Sequence, residues 1–304
     1  MKEESPKAIL YALAANTGIA VCKFAAALLT QSGSMFAEAI HSIADCGNQL
    51  LLLFGLSEAR RPPSPLHPMG AGREINFYSL LVALLLFFVG GAFSVYEGVH
   101  RLFAREPLSH AYVALAVLGI SVVLETLSLM GAIKEIRKTH PDKSMWRWFR
   151  ETRESDLLVV AGEDIAALAG LAIAFIAVLL TMISGNPVYD ALGSIGVGVL
   201  LMVIAWLVAR EVKSMIVGES ASPEVRRAIE AHLRARAEIR GIINLITLQW
   251  GRDVVVAVQA EMVEYASGRA MVDAINVIEA DLQDTFPQVR WVFFEPDVPR
   301  SERR

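Results

Sequence analysis

Glu38-Ala-Ile-His41-Ser-Ile-Ala-Asp45-Cys46-Gly-Asn48-Gln49, running on into Leu50-Leu-Leu-Leu-Phe-Gly-Leu56, is the stretch from which the rest of the chain is read. It follows an uncharged turn, Gln31-Ser-Gly-Ser34, and ends at Arg60-Arg61. The segment between has roughly the length that crosses a bilayer core as a helix. His41, Asp45 and Asn48 are spaced four and three apart, so they share one helical face. An imidazole and a carboxylate one turn apart form half of a divalent-metal site. Two polar residues bridging helices would leave the same pattern. Ionisable groups at membrane depth cost at least about 2.5 kcal/mol each, however, and mostly serve function, which favours the metal reading.

Composition supports a membrane chain. Of 304 residues 54% are hydrophobic, and the mean hydropathy is +0.46, too apolar for an ordinary soluble protein of this size. A net charge of −4 offers no global basic field, so no nucleic-acid partner is expected. Cys22 and Cys46 both fall inside apolar segments and do not read as a disulfide framework. No short apolar core with a small-residue cleavage site opens the chain, so the first apolar segment is expected to stay as a span.

Working outward from the second span (about Ser34 to Ala59), the first runs from about Lys7 to Thr30 and carries Lys23. Lys23 either snorkels to the nearby helix end or pairs with a carboxylate of a neighbouring helix. After Arg60-Arg61 comes a loop too rich in proline and glycine for a regular element, ending near Arg73. The third span is expected over Ile75–His100, the fourth over His110–Ile133, the fifth over Asp156–Ser184 and the sixth over Val188–Val212. Lys and Arg gather after span two (Arg60, Arg61, Arg73) and after span four (Lys134, Arg137, Lys138, Lys143, Arg147, Arg150, Arg153). The loops after spans one and five carry none, and that after span three only Arg101 and Arg105. The positive-inside rule then places both termini on the cytoplasmic side.

From Met215 the texture is that of a soluble domain, so residues 1–214 are expected to form the membrane domain and 215–304 a cytoplasmic one. Ser222-Pro223-Glu224 opens a helix reaching about Ala237. Ile243–Trp250 and Val254–Met262 read as strands about Gly251-Arg252-Asp253, Ala270–Phe286 as an amphipathic helix and Val289–Glu295 as a last strand. The fold class is a six-helix transmembrane bundle followed by a small α-β-β-α-β domain, its helices on one face of a three-stranded sheet.

A half-site needs partners. Span five supplies Glu163 and Asp164, adjacent acids in an apolar run, which point about 100° apart and share a pocket only if it lies between their directions. One of them could instead serve Lys23 or a proton path, and a simple helix-start pair is the structural alternative. Glu125, mid-span four, is a candidate for proton relay or charge pairing. Glu38 and Asp190, nearer span ends, are expected at the interface. Cys46 adjoins Asp45 but points about 100° away, which suits packing rather than ligation.

These pieces resemble the cation diffusion facilitators, six-span exporters of Zn²⁺ and related ions with a ferredoxin-like cytoplasmic domain. His41-Ser-Ile-Ala-Asp45 matches the family's HxxxD in span two, His67-Pro-Met-Gly-Ala-Gly72 its short loop motif, and Val217-Gly-Glu-Ser-Ala-Ser-Pro223 its junction after span six. Glu163-Asp164-Ile-Ala-Ala-Leu-Ala-Gly170, Gly185-Asn-Pro-Val-Tyr-Asp190 and Phe294-Glu-Pro-Asp297 look more like the zinc transporter nine branch and its bacterial relatives. The usual HxxxD of span five is absent, Val159 and Val160 standing four residues before the two acids. Ala71 stands where many members have a second loop histidine. In the soluble domain His232 is the only histidine, and Trp250 and Phe293 fall where some members bind zinc. The resemblance implies no cofactor, a transported divalent cation (Zn²⁺ first, with Mn²⁺, Co²⁺ and Fe²⁺ open) and a homodimer held through the soluble domain. His41, Asp45, Asn48, Glu163 and Asp164 are the expected metal residues, bound by competition with protons. A membrane-anchored regulator, or a proton carrier relaying through His41, Asp45, Glu125 and Glu163 without metal, are the rivals. An enzyme is not expected, since no nucleophile–base or phosphate-binding pattern appears.

Overall fold

The computed structural model describes residues 6–104, 107–139, 144, 149 and 151–298. The basic residues Arg105, Lys143, Arg147 and Arg150 lie outside that set. Helix α1 spans Pro6–Thr30 and α2 Gly33–Ala59. The next apolar segment is α3 (Glu74–Leu85), a π-helical stretch (Leu86–Ala92) and α4 (Phe93–Ala104), which follow one another without a break. Then come α5 (Ala111–Thr139), α6 (Ser155–Ser184) and α7 (Val188–Val217). Among the described residues four helical segments are long and apolar enough to cross a membrane: Gly33–Ala59, Glu74–Ala104, Ser155–Ser184 and Val188–Val217. Helices α1 and α5 contribute shorter apolar stretches, Asn16–Thr30 and Ala111–Leu127.

Local chemistry sets where α2 begins, and so the height of its polar stripe. Ser32 caps it, accepting from the Met35 N–H at 3.1 Å. Asp190, near the start of α7, accepts from the Gly33 N–H at 2.5 Å and from the Ser32 hydroxyl at 2.7 Å, and also from Ser34. A carboxylate over the first N–H groups of a helix is stabilised by the helix dipole. Asp190, expected near a span end, is buried there, bonded where the α6–α7 turn meets the start of α2.

The π-helical stretch carries Gly90 and Gly91, and here the third apolar segment packs tightly on α7. A Cβ on Gly91 would lie 3.1 Å from the Gly198 carbonyl oxygen and crowd Met202, and one on Gly98 would lie 2.8 Å from that of Ala191. Small residues let membrane helices approach this closely without a large apolar side chain between them.

After α7 the chain forms α8 (Pro223–Arg234), β1 (Ile239–Trp250), β2 (Asp253–Met262), α9 (Gly268–Thr285) and β3 (Val289–Pro296). The sheet order is β1-β2-β3, antiparallel between the first two and parallel between the last two. Val254, Val256, Val258 and Ala260 meet Ile229 and Leu233 of α8 and Ile278 and Leu282 of α9 in one core. The first strand starts four residues earlier than its apolar run suggests, because the register shifts between Ile239 and Gly241 and again between Ile242 and Asn244 let Ile239–Ile242 pair with β2. Helix α8 ends at Arg234 rather than Ala237, and α7 continues five residues past Val212.

Candidate metal centre

The polar stripe of α2 is longer than His41, Asp45 and Asn48. Glu38 lies one turn before His41, so the spacing three, four, three keeps all four on one face. Glu38, His41 and Asn48 have no solvent-accessible surface, while Asp45 is partly buried. The His41 Nδ1 stands 3.5 Å from Asp45 Oδ1. Asn48 donates from Nδ2 to Glu163 Oε1, tying α2 to α6 below that pair.

Glu163 is buried and Asp164, its neighbour, is half-buried. Glu163 interacts electrostatically with Asp45, and Asp164 with both Asp45 and Glu125. Glu125 of α5, half-buried, also acts on His41. Acids of α5 and α6 thus act electrostatically on the His41–Asp45 pair. Among the described residues no three His, Cys, Asp or Glu side chains stand close enough together to hold an ion. The donors are arranged as two pairs, His41–Asp45 and Asn48–Glu163, rather than as one closed cage.

Buried polar atoms are almost always hydrogen-bonded, so unpaired ones mark a site. Among the described residues the unpartnered buried atoms include a run of five on α2: Glu38 Oε1, both ring nitrogens of His41, Asp45 Oδ1 and Asn48 Oδ1. All five lie on the α2 stripe, and each is an oxygen or imidazole nitrogen able to ligate a divalent cation.

Of the two fates open to Lys23, the structure has pairing. It is buried, with Nζ 3.5 Å from Glu38 Oε2 and donating to Ser42 Oγ at 2.9 Å. Glu38, expected near a span end, stands in the second turn of α2, and its three-residue spacing from His41 is the sequence signal that puts it on the stripe. Cys46 accepts from Thr17 Oγ1 at 3.7 Å, a packing contact between α1 and α2.

Among the described residues, His67 and His232 do not build a second centre. His67 is exposed in its loop. His232 is bonded to Asp281 at 2.6 Å, and Arg236 reaches the same carboxylate at 3.1 Å. Phe293 is exposed on the sheet, and Trp250 lies under the Arg73 guanidinium at 4.3 Å. Burial lowers the Arg73 pKa from its ordinary value. The Trp250 indole also donates to the Gly70 carbonyl at 3.4 Å, so the loop after α2 is docked on the β1–β2 turn.

Apolar helices of membrane length, a stripe of buried ligating atoms and a small α+β unit docked at one end define an integral membrane protein built to handle a cation. The pattern of the family described as the cation efflux transmembrane domain matches residues 9–217. The chain belongs to this family, the cation diffusion facilitators, in the zinc transporter nine-like branch. It is 36% identical over 239 residues to the human proton-coupled zinc antiporter SLC30A9, mitochondrial, covering 78% of this chain and 42% of that protein. It is 34% identical over 224 residues to the Arabidopsis thaliana metal tolerance protein C4, covering 72% and 48%. The manganese efflux system protein MneP of Bacillus subtilis is 28% identical over 229 residues, covering 73% and 71%. The match thus spans less than half the length of the human and plant relatives.

Proposed function

We propose that this chain is a proton-coupled antiporter of divalent cations, with Zn²⁺ as its main cargo. The observation that carries the reading is the row of five unpaired buried ligating atoms on α2, facing acids from α5 and α6. The ion is held between α2 and α6 by His41, Asp45, Asn48 and one of Glu163 and Asp164, once the two pairs close on it. Glu125 accepts or returns protons beside the site. The names of the human and Bacillus relatives, a zinc antiporter and a manganese efflux protein, support zinc first and manganese second.

The coupling follows from competition. His41, Asp45 and the α6 acid bind metal only when deprotonated, so ion and protons exclude each other. A bundle that alternates between two open states with different affinities for them exchanges one for the other. Six spans carry this out: α1, α2, the α3–α4 segment, α5, α6 and α7, with residues 1–214 in the membrane and 215–304 on the cytoplasmic side beside both termini. A homodimer fits the open face of the sheet, where Ile246 and Phe293 stand exposed.

Purified protein in liposomes, with a pH gradient imposed and Zn²⁺, Mn²⁺ and Co²⁺ offered in turn, tests this directly. Zinc entry should drive counter-flow of protons, and Asp45→Ala should abolish both while the protein stays folded. Proton flux that ignores metal would instead support a metal-independent carrier, and near-normal zinc flux in Asp45→Ala would refute the site.

A further inference from the structure

Glu38, whose Oε1 ends the row of unpaired atoms on α2, and Lys23 are buried charges outside the set that holds the ion in the antiport reading. Both are buried inside the bundle, and the Lys23 ammonium from α1 sits between Glu38 and Ser42. Buried ion pairs are poor stabilisers: two well-packed apolar side chains hold helices together as well or better. Three features point to a role on the ion's route. Glu38 continues the face of His41, Asp45 and Asn48 one turn toward the Gln31 end of α2. Its Oε1 has no partner, and Gly170 of α6 leaves it room, since a Cβ there would lie 2.6 Å from that oxygen. Lys23 also acts electrostatically on His41 and Asp45, so its charge opposes a cation at that pair.

We propose that Glu38 is a relay site for the transported cation between the His41–Asp45 pair and the Gln31 end of the bundle, and that the Lys23 ammonium is a tethered stand-in for the ion there. Without cargo, Lys23 neutralises Glu38 and keeps a bare carboxylate from drawing the ion out of its site. An arriving divalent ion takes Glu38 Oε1, and the ammonium withdraws onto Ser42. Once the ion leaves, Lys23 returns and blocks its re-entry. This rests on the antiport reading above and adds to it the route by which the ion departs.

The test measures radioactive zinc binding at equilibrium in detergent and zinc flux in liposomes for the same set of variants. Lys23→Met should bind zinc about tenfold more tightly, since an opposing charge is gone, and turn over more slowly. A residue that only packed would not tighten binding when removed. Lys23→Arg keeps the charge and should stay near wild type in affinity. Glu38→Gln leaves the Lys23 charge without its partner and should bind zinc more weakly and transport about tenfold more slowly. If Lys23→Met does not fold, the double variant Lys23→Met/Glu38→Gln removes both charges at once and should bind zinc near the wild-type affinity yet transport as slowly as Glu38→Gln. Wild-type turnover in both Glu38→Gln and the double variant overturns the relay. Asp45→Asn separates the two layers. Lost zinc binding in Asp45→Asn beside normal turnover in the Glu38 variants sinks the relay alone, whereas normal zinc binding in Asp45→Asn sinks the metal site beneath it.

Discussion

Glu163 and Asp164 are neighbours in sequence but not in surroundings. Glu163 is buried and accepts a hydrogen bond from Asn48, whereas Asp164 is half-buried and interacts electrostatically with Glu125 more than with Asp45. Glu163→Gln should therefore weaken zinc binding by about 10- to 100-fold, the usual range for losing a ligand's partner or the ligand itself. Asp164→Asn should be milder at equilibrium and shift the pH dependence of flux instead. Titration of zinc into the two purified variants, with flux measured at two pH values, checks this, and equal tolerance of both substitutions would remove α6 from the site. At this scale the sequence was partly legible. The spacing of His41, Asp45 and Asn48 assigns them one face, because helical period needs no tertiary knowledge. Which of two adjacent acids turns inward depends on how α6 is rotated against α2, and that is decided by packing at Gly162, Gly170 and Ala166, which local periodicity does not encode.

At the scale of elements, two joints depend on single residues. Asp190 of α7 holds the first N–H groups of α2, so it fixes the height of the polar stripe relative to α7. Asp190→Ala should lower bundle stability by about 1–2 kcal/mol, the upper range for losing a charged cap. Its signature in a thermal-unfolding series would be that Asp190→Asn recovers part of the loss, because an amide oxygen still accepts. The second joint is Gly251, which turns β1 into β2 with φ of +63° and presses against Gly72 of the loop after α2. Gly251→Ala should detach that loop from the turn, because a Cβ there is both left-handed and in the way of the Gly72 backbone. Loss of the Arg73–Trp250 stack would appear as a change in tryptophan fluorescence, and an unchanged spectrum would place the docking elsewhere. The order of elements was readable from apolar runs and turn residues. The π-helical stretch at Leu86–Ala92 was not, because it answers to the close approach of α7 rather than to any local propensity.

At the scale of the whole molecule, contacts between loops sort the ends of the helices into two groups. At one end Ser109 donates its N–H to Thr30 at 2.9 Å, Arg101 reaches the Gln31 carbonyl at 2.5 Å, and Asp190 joins the α6–α7 turn to Ser32. At the other, Arg73 meets Trp250, Arg252 pairs with Asp156 at 3.2 Å, and Arg153 pairs with Glu219 at 3.1 Å. Arg60, Arg61, Arg73 and Arg153 all belong to the second end, which under the positive-inside rule faces the cytoplasm. The number of crossings makes this testable. Between Leu66, at the second end, and Ser184, at the first, lie the α3–α4 segment, α5 and α6. Three crossings put those residues on opposite sides of the membrane; if α5 did not cross, two would put them on the same side. With Cys22 and Cys46 replaced by alanine, single cysteines at Leu66, Ser184 and Glu264, all exposed, can be probed in intact cells by an impermeant maleimide. Ser184→Cys should label, and Leu66→Cys and Glu264→Cys should label only after the membrane is opened. Labelling of Leu66→Cys and Ser184→Cys from the same side would remove α5 from the membrane. Glu125 would leave the ion's surroundings with it, so the proton route drawn through α5 stands or falls on that one comparison.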